Sequence, residues 1–214
     1  MCSSPLEGEP RPVREDSSVT EVPIADHLDA LRAHHRFKNI VRGGKAWDLS
    51  HLDPFAFRVD PGLGFEIIVV VVFSSHCFTR SLVRDGRARH EIPFDELFDD
   101  GREVRVLCEE RLKLSRLRLP ALVRKLRSCA IQVAGEDPLN FMTSERIDEG
   151  DVRHPRHYVV FFQVLRDLKR RRRLLLNVQS AYAKESIRQR QRERRRVSLF
   201  KILKTTSLGQ RVKA

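Results

Sequence analysis

The sequence has no apolar run long enough to cross a membrane. Its longest wholly apolar stretch, Ile67–Phe73, is seven residues long, whereas a transmembrane helix needs about 20. No apolar segment of the signal-peptide type follows Met1. The sequence therefore predicts a protein without a membrane span, located in the cytoplasm.

Cysteines are few, and the common catalytic and cofactor motifs are missing. Cys2, Cys77, Cys108 and Cys129 form no CxxC pair and have no zinc-like spacing, which favours reduced thiols of a cytosolic protein. GxGxxG, P-loop, HExxH and GxSxG motifs do not occur. We predict no cofactor and no metal. Six of the eight histidines lie scattered among few acids at ligand spacing: His34, His35, His51, His90, His154 and His157.

Composition divides the chain into three parts. Residues 1–23 hold four prolines and show no apolar periodicity, so we predict a disordered segment. Residues 24–183 are predicted to form a single α+β domain, and residues 184–214 a basic helical tail. The domain should contain a largely antiparallel sheet of about five or six strands with a few packing helices.

Strand signals are strongest near the end of the predicted domain. Residues 157–165 and 174–182 are rich in aromatic and β-branched residues and predict a hairpin. Residues 65–73 predict a central strand covered on both faces. Helical patterns occur at 24–37, at 112–127 with a new helix beginning at Pro120, and in the strongly basic stretch 183–196.

Positive charge is concentrated at the end of the chain. Residues 166–214 contain 17 Lys and Arg against 3 Asp and Glu, whereas the other 165 residues contain 24 against 26. Such a cluster attracts phosphate backbones or anionic lipid, although a solvated basic tail would have the same composition. The candidate nucleic-acid-binding residues are Lys169, Arg170, Arg171, Arg172, Arg173, Arg188, Arg190, Arg192, Arg194, Arg195 and Arg196.

RNA or another nucleic acid is the predicted partner, with an acidic protein as the alternative. The hairpin turn is too charged to bury, so it should stand in water or against a polyanion. A membrane surface is less favoured, because the 183–196 stretch lacks a broad apolar face.

Two segments contain candidate catalytic side chains. His76 follows the central strand and could act as a general acid or base, and Cys77 beside it as a nucleophile. The alternative is that this segment only packs, with Cys77 as a small hydrophobe. Tyr182 could hydrogen-bond a phosphate or stack on a base, or it could cap the end of the strand.

Several short patterns resemble an uncharacterised family of small bacterial proteins. They are Phe73-Ser-x-His-Cys-Phe-Thr79, Glu110-Arg111-x-x-Leu-Ser115 with Leu119-Pro120, Tyr158-x-Val-x-Phe, and Gln179-Ser-Ala-Tyr182. Members are sometimes labelled phage-associated or stationary-phase growth adaptation proteins. The resemblance covers about residues 47–184 and implies a role in growth or stress adaptation.

The last hairpin is also similar to the terminal hairpin of RelE/ParE-type toxins. RelE-like ribonucleases use cationic side chains, and often a late tyrosine, to stabilise the transition state at phosphorus. Tyr182 and Arg166 match these positions. Asn177 and Gln179 stand where that fold has an arginine in its last strand.

Three functional hypotheses follow, and the residues leave all of them open. The first is a small basic bacterial protein that binds RNA through the hairpin loop and the C-terminal helix. If it is a RelE-like, metal-independent ribonuclease, His76 or Tyr182 would move protons and Arg166 would offset developing charge. The second is a non-enzymatic interaction module that docks on the ribosome, DNA or an acidic protein. A thiol-dependent enzyme around Cys77 is a third option.

Overall fold

The long apolar run of the sequence forms the central strand of a large sheet. A computed structural model describes residues 19–38, 40–136, 139–147, 156–185 and 196–212. Within them the strands are Thr20–Val22 (β1), Ile40–Arg42 (β2), Lys45–Trp47 (β3), Phe55–Val59 (β4), Ile67–Phe73 (β5), Thr79–Ser81 (β6), Leu97–Asp99 (β7), Val104–Leu107 (β8), Ile131–Glu136 (β9), Leu139–Ile147 (β10), Arg156–Arg166 (β11), Arg173–Lys184 (β12) and Arg196–Val197 (β13).

The main sheet has eight strands in the order β1-β4-β5-β12-β11-β10-β9-β13. Only β5 and β12 run parallel, and every other pair is antiparallel. The predicted α+β class, the mainly antiparallel sheet and the hairpin are therefore confirmed. The sheet exceeds the five or six strands predicted because short edge strands extend it on both sides. One of them, Thr20–Val22, falls within the segment predicted to be disordered and pairs with β4.

The helices are α1 (Leu82–Asp85), α2 (Glu109–Arg124) and α3 (Leu199–Ser207). α2 and α3 cover one face of this sheet and contribute to the main core, whereas α1 has no buried residue and lies beside β6 and β8. α2 is one continuous helix through Pro120, so the predicted break there is wrong. Ile202 and Leu203 of α3 are fully buried in the main core. Within residues 184–214, which the sequence analysis predicted to be a basic helical tail, α3 therefore packs on the domain.

A 3₁₀ segment, Ile24–Ala30, lies on the other face of the sheet, where an α-helix was predicted. It packs over a small apolar cluster with Ala56, Val70 and Val72. Alternate β5 residues point to opposite faces, so the continuous apolar run is explained by cover on both faces. None of the described helices has the length and apolar character needed to span a bilayer.

Two small sheets and further 3₁₀ turns complete the described residues. β2 pairs with β3, and β8 lies between β6 and β7. β6, which pairs with β8, is joined to β5 through the short segment that carries His76. The remaining 3₁₀ turns are Ala33–His35, Ser50–Leu52, Ser75–Cys77, Arg89–Glu91, Phe94–Glu96 and Leu126–Ser128.

Candidate nucleic-acid interface

The turn between β11 and β12 is shaped by its single acidic residue, Asp167. Its Oδ1 accepts a hydrogen bond from the backbone N–H of Lys169 at 2.8 Å, and its own N–H donates to the Arg173 carbonyl at 3.0 Å. This is the local turn-forming chemistry of aspartate. The cations at 169–172 are left exposed on the outside of the turn.

β11 and α3 also contribute cations at the end of the sheet where this turn lies. Lys204 of α3 donates to a backbone carbonyl of the β4–β5 turn at 2.8 Å. The Arg172 guanidinium carbon lies 4.5 Å from the centre of the Phe65 ring. Arg166 lies beside Gly209, where a Cβ would come within 2.8 Å of its Nη1. We define the cationic end as the exposed side chains of Arg166, Lys169, Arg170, Arg171, Arg172 and Lys204.

Three acids near the cationic end already have partners, and one of them, Asp29, pairs with Arg170 of that end at 3.3 Å. Asp29 and Asp167 both accept hydrogen bonds from Arg173. Asp60 accepts backbone N–H groups of its own turn at 2.7 to 3.1 Å. Five cations of this end have no carboxylate partner among the described residues: Arg166, Lys169, Arg171, Arg172 and Lys204.

Arg173 differs from the other predicted binding residues because it is buried. It is 2% exposed, donates from Nη1 and Nη2 to both oxygens of Asp29 at 2.7 Å, and from Nε to Asp167 at 2.5 Å. The hydrogen bond to Asp29 raises the pKa of Arg173 despite burial, so the residue stays charged. The prediction that the whole turn faces water or a polyanion is therefore wrong for Arg173, which fastens the 24–30 segment to the sheet.

The predicted C-terminal binding residues are placed only in part. Arg196 is exposed and lies in β13, opposite Gln132 of β9, rather than in the predicted helix. Residues 183–184 belong to β12. Glu185 lies in a bend, and residues 186–195 of that predicted helix lie outside the described residues, among them Arg188, Arg190, Arg192, Arg194 and Arg195.

His76 lies in the 3₁₀ turn that follows β5. Ser74 begins this turn, and its Oγ accepts a hydrogen bond from the His76 N–H at 3.2 Å. The same Oγ donates to the Gln179 carbonyl at 2.5 Å, which ties the turn to β12. His76 Nε2 lies 2.7 Å from Glu103 Oε1 on β7–β8. The imidazole is thus held between the main sheet and that hairpin.

The His76 side chain lines a polar cavity of about 400 Å³ between the turn, the β7–β8 hairpin and β12. Burial lowers the pKa of His76, and Arg105 lowers it further, while the hydrogen bond with Glu103 opposes both. The imidazole is therefore mostly neutral at neutral pH. A neutral imidazole can donate from one nitrogen and accept at the other.

The three predicted catalytic residues do not meet. Tyr182 pairs with Val159 across the hairpin, whereas Arg166 pairs with Leu174. Arg166 and Val159 are seven residues apart along β11, about 23 Å at the usual rise of a strand. His76 follows the end of β5 that lies near Tyr182. Arg166 is therefore too distant to offset charge that develops between His76 and Tyr182.

One group of side chains has the composition of a metal site. Ligand atoms of His76, Asp100 and Glu103 lie within 4.8 Å of one another. Both Asp100 oxygens already accept hydrogen bonds, one from Ser75 at 2.6 Å and the other from backbone N–H groups. Arg105 donates to Glu103 at 2.8 Å, and its positive charge opposes a cation there. We therefore interpret the group as a hydrogen-bond network that holds the β7–β8 hairpin in place.

Cys77 is fully buried, and burial raises its pKa to about 12. Burial therefore strongly disfavours its thiolate at neutral pH. We expect iodoacetamide to modify Cys108 and Cys129, which are partly exposed, long before Cys77 in the native protein. Peptide mass spectrometry would measure this, with urea-unfolded protein as the control. Modification of Cys77 as fast as Cys108 and Cys129 would support the hypothesis of a thiol-dependent enzyme.

Tyr182 has partners that the sequence did not reveal. Its ring stacks on Phe161, with centroids 5.9 Å apart and planes 19° apart. The guanidinium carbons of Arg84 and Arg111 lie 5.8 and 4.8 Å from the Tyr182 centroid. Our sequence reasoning missed both arginines as site residues. The only signal was that Arg111 belongs to one of the patterns behind the family resemblance.

Fold and site together define an α+β protein that has the cationic end at one end of its main sheet and the polar cavity beside His76 near the other. A model of the YjaZ family matches residues 37–207, most of the chain, so the chain belongs to the YjaZ family. This match supports the resemblance to a small bacterial family, whereas the likeness to RelE/ParE toxins stays a prediction. No curated protein and no solved structure matches the chain.

Proposed function

We propose that the chain is a cytoplasmic nucleic-acid-binding protein that docks RNA on the cationic end without cleaving it. The observation that carries this proposal is the collection of cations from β11, the β11–β12 turn and α3 on one surface, where only Arg170 of the six pairs with a carboxylate among the described residues. Uncompensated Arg and Lys bind phosphates by releasing condensed counterions. The cytoplasmic location is supported by the free thiols of Cys77, Cys108 and Cys129.

The composition of the surface favours nucleic acid among polyanions. Five of its six cations lie on or beside one hairpin turn, and four of these are arginines, whose planar fork matches phosphate oxygens. Leu168, 99% exposed at the tip of the turn, offers an apolar contact to a base or ribose. The separation of Arg166 from His76 and Tyr182 supports binding rather than catalysis.

Replacing Arg166, Arg171 and Arg172 together with glutamine should weaken RNA binding about 100-fold at about 0.1 M salt. Each lost contact to a single strand reduces the slope of log K against log salt by about 0.7. The slope should therefore fall by about 2. Fluorescence anisotropy with labelled single-stranded RNA over a salt series would measure both quantities. Arg173 is left intact because it stabilises the fold.

The matched control removes the same charge from another part of the surface. Arg89, Lys113 and Lys125 are exposed, lie outside the cationic end, and should be replaceable by glutamine with little change in affinity. Equal affinities of the two triple variants would contradict the proposal. So would binding to phosphatidylserine vesicles with none to RNA, since that result assigns the surface to a membrane.

A further inference from the structure

A second group of uncompensated arginines lies at the opposite end of the hairpin. β5 ends at Phe73, opposite Val178, whereas β12 continues to Lys184. Beyond Val178, this edge of β12 is therefore not covered by β5. Arg84 and Arg111 approach the Tyr182 ring there, from α1 and from the first turns of α2. We call Arg84, Arg111 and Tyr182 the Tyr182 edge.

Two backbone contacts fix the Arg111 guanidinium in place. Its Nη1 donates to the carbonyls of His76 at 3.0 Å and Thr79 at 2.7 Å. Nε and Nη2 make no hydrogen bond within the described residues. Burial lowers the pKa of Arg111, and the charges of Arg105 and Arg84 lower it further, but an arginine remains protonated in proteins. The guanidinium is thus a positioned cation with free donors.

The carboxylates on neighbouring segments are taken by other arginines. Asp85, the residue after Arg84, pairs with Arg80 at 2.5 Å and Arg87 at 2.6 Å. Glu110, the residue before Arg111, pairs with Arg156. Glu103 pairs with Arg105 at 2.8 Å. Among the described residues, neither arginine of the Tyr182 edge has a carboxylate within ion-pair distance.

Two guanidinium groups on one aromatic ring repel each other, and the ring's negative face offsets only part of that cost. An oxyanion between them would remove the repulsion and accept their free N–H groups. A phosphoryl group has the charge and the several acceptor oxygens needed to reach both arginines at once. A single carboxylate offers only two oxygens.

We propose that Arg84, Arg111 and Tyr182 form a binding site for a phosphoryl group, separate from the cationic end. Arg111 supplies a fixed donor, and Arg84 supplies an exposed donor that closes on the ligand. Both guanidinium groups lie against the Tyr182 ring. The site goes beyond the proposed function, because it does not depend on RNA binding at the other end of the sheet. A free phosphate ester and the phosphodiester of an RNA strand present the same chemistry to it.

The test uses the full chain carrying the three glutamine substitutions at Arg166, Arg171 and Arg172, so that the cationic end does not contribute. Isothermal titration calorimetry with sodium phosphate, pyrophosphate and single-stranded RNA would give the affinities. Arg84→Gln should weaken phosphoryl binding about 10-fold, as expected for one charge-assisted hydrogen bond. Arg111→Gln should weaken it more, and Arg84→Gln carries the test if Arg111→Gln does not fold.

Arg89→Gln is the matched control, since Arg89 is an exposed arginine on a neighbouring segment that contacts no aromatic ring of the described residues. A loss for phosphate and pyrophosphate alone would assign a free phosphoryl ligand, and a loss that includes RNA would assign the RNA backbone. Identical affinities of Arg84→Gln and Arg89→Gln for every probe would overturn the proposal. If RNA does not dock on the cationic end, phosphate binding by the triple-glutamine protein stays unchanged. Failure of the proposed function can therefore be told apart from failure of this phosphoryl site.

Discussion

Replacing Arg173 with methionine is expected to lower the free energy of unfolding by about 3–5 kcal/mol, as for a buried ion pair that loses one partner. Arg173 is 2% exposed and is hydrogen-bonded to both Asp29 and Asp167. Its loss leaves Asp167, whose side chain is 7% exposed, charged and without that partner. It also detaches the 24–30 segment from the sheet. Urea unfolding followed by circular dichroism would measure the change.

Two further variants separate lost charge pairing from lost packing. Arg171→Met makes the same replacement at an exposed position of the same turn and should change stability by less than about 0.5 kcal/mol. Adding Asp167→Asn to Arg173→Met should recover part of the loss, because no unpaired buried carboxylate then remains. If Arg173→Met is no more destabilising than Arg171→Met, Arg173 does not fasten the segment.

The same ion pair should make the stability difference depend on pH. The hydrogen bond from Arg173 lowers the pKa of Asp29 from 3.8 to about 2. A carboxyl group with a lower pKa in the folded state stabilises that state above its unfolded pKa, and the contribution is lost as the pH falls through the folded value. The difference in free energy of unfolding between wild type and Arg173→Met should therefore be constant above about pH 5 and become smaller between about pH 4 and pH 2. An unchanged difference at low pH would argue against the pairing.

The behaviour of Arg173 shows why the hairpin could be predicted from the sequence when the role of each cation could not. Alternating apolar residues and a charged turn are local features, so both strands were found. The partner of Arg173 is Asp29, 144 residues away, and no local pattern separates Arg173 from the four exposed cations before it. Burial of one member of such a run depends on tertiary contacts.

Local sequence signals also gave wrong predictions at Pro120, where a helix break was expected, and at Thr20–Val22, where disorder was expected. Proline removes one N–H from a helix, but packing of the buried residues on both sides, such as Leu119 and Leu122, keeps α2 continuous. Thr20–Val22 has little apolar character of its own and forms a strand because β4 offers it a pairing edge. In both places tertiary context outweighs intrinsic propensity.

At the candidate sites, residue types were predictable but neighbours were not. His76 and Tyr182 were selected for their chemistry, and both lie at one end of the main sheet. Arg84 and Arg111, which lie on the Tyr182 ring, come from α1 and α2, far away from Tyr182 in the sequence. Arg166 was assigned to the same site by its likeness to a toxin hairpin, yet it lies at the other end of β11.

Ile202→Ala in α3 should lower the free energy of unfolding by about 2–5 kcal/mol, the usual cost of truncating a large buried aliphatic residue. Ile202 has no exposed surface and belongs to the main core, where α3 packs on β11 and β12. Lys201→Ala, one position earlier and exposed, is the control and should change stability by less than about 0.5 kcal/mol. Urea unfolding of both variants would measure the difference.

The result decides how the basic C-terminal residues can be tested. If Ile202→Ala is strongly destabilising, deleting residues 184–214 removes part of the core as well as the basic residues, and lost RNA binding would then report unfolding. Charge-neutralising substitutions on the intact chain avoid this ambiguity, because exposed arginines contribute little to stability. If Ile202→Ala and Lys201→Ala are equally mild, α3 is not an integral part of the core. Residues 184–214 would then be the separable tail that the sequence predicted, and truncation would be a fair test of its binding.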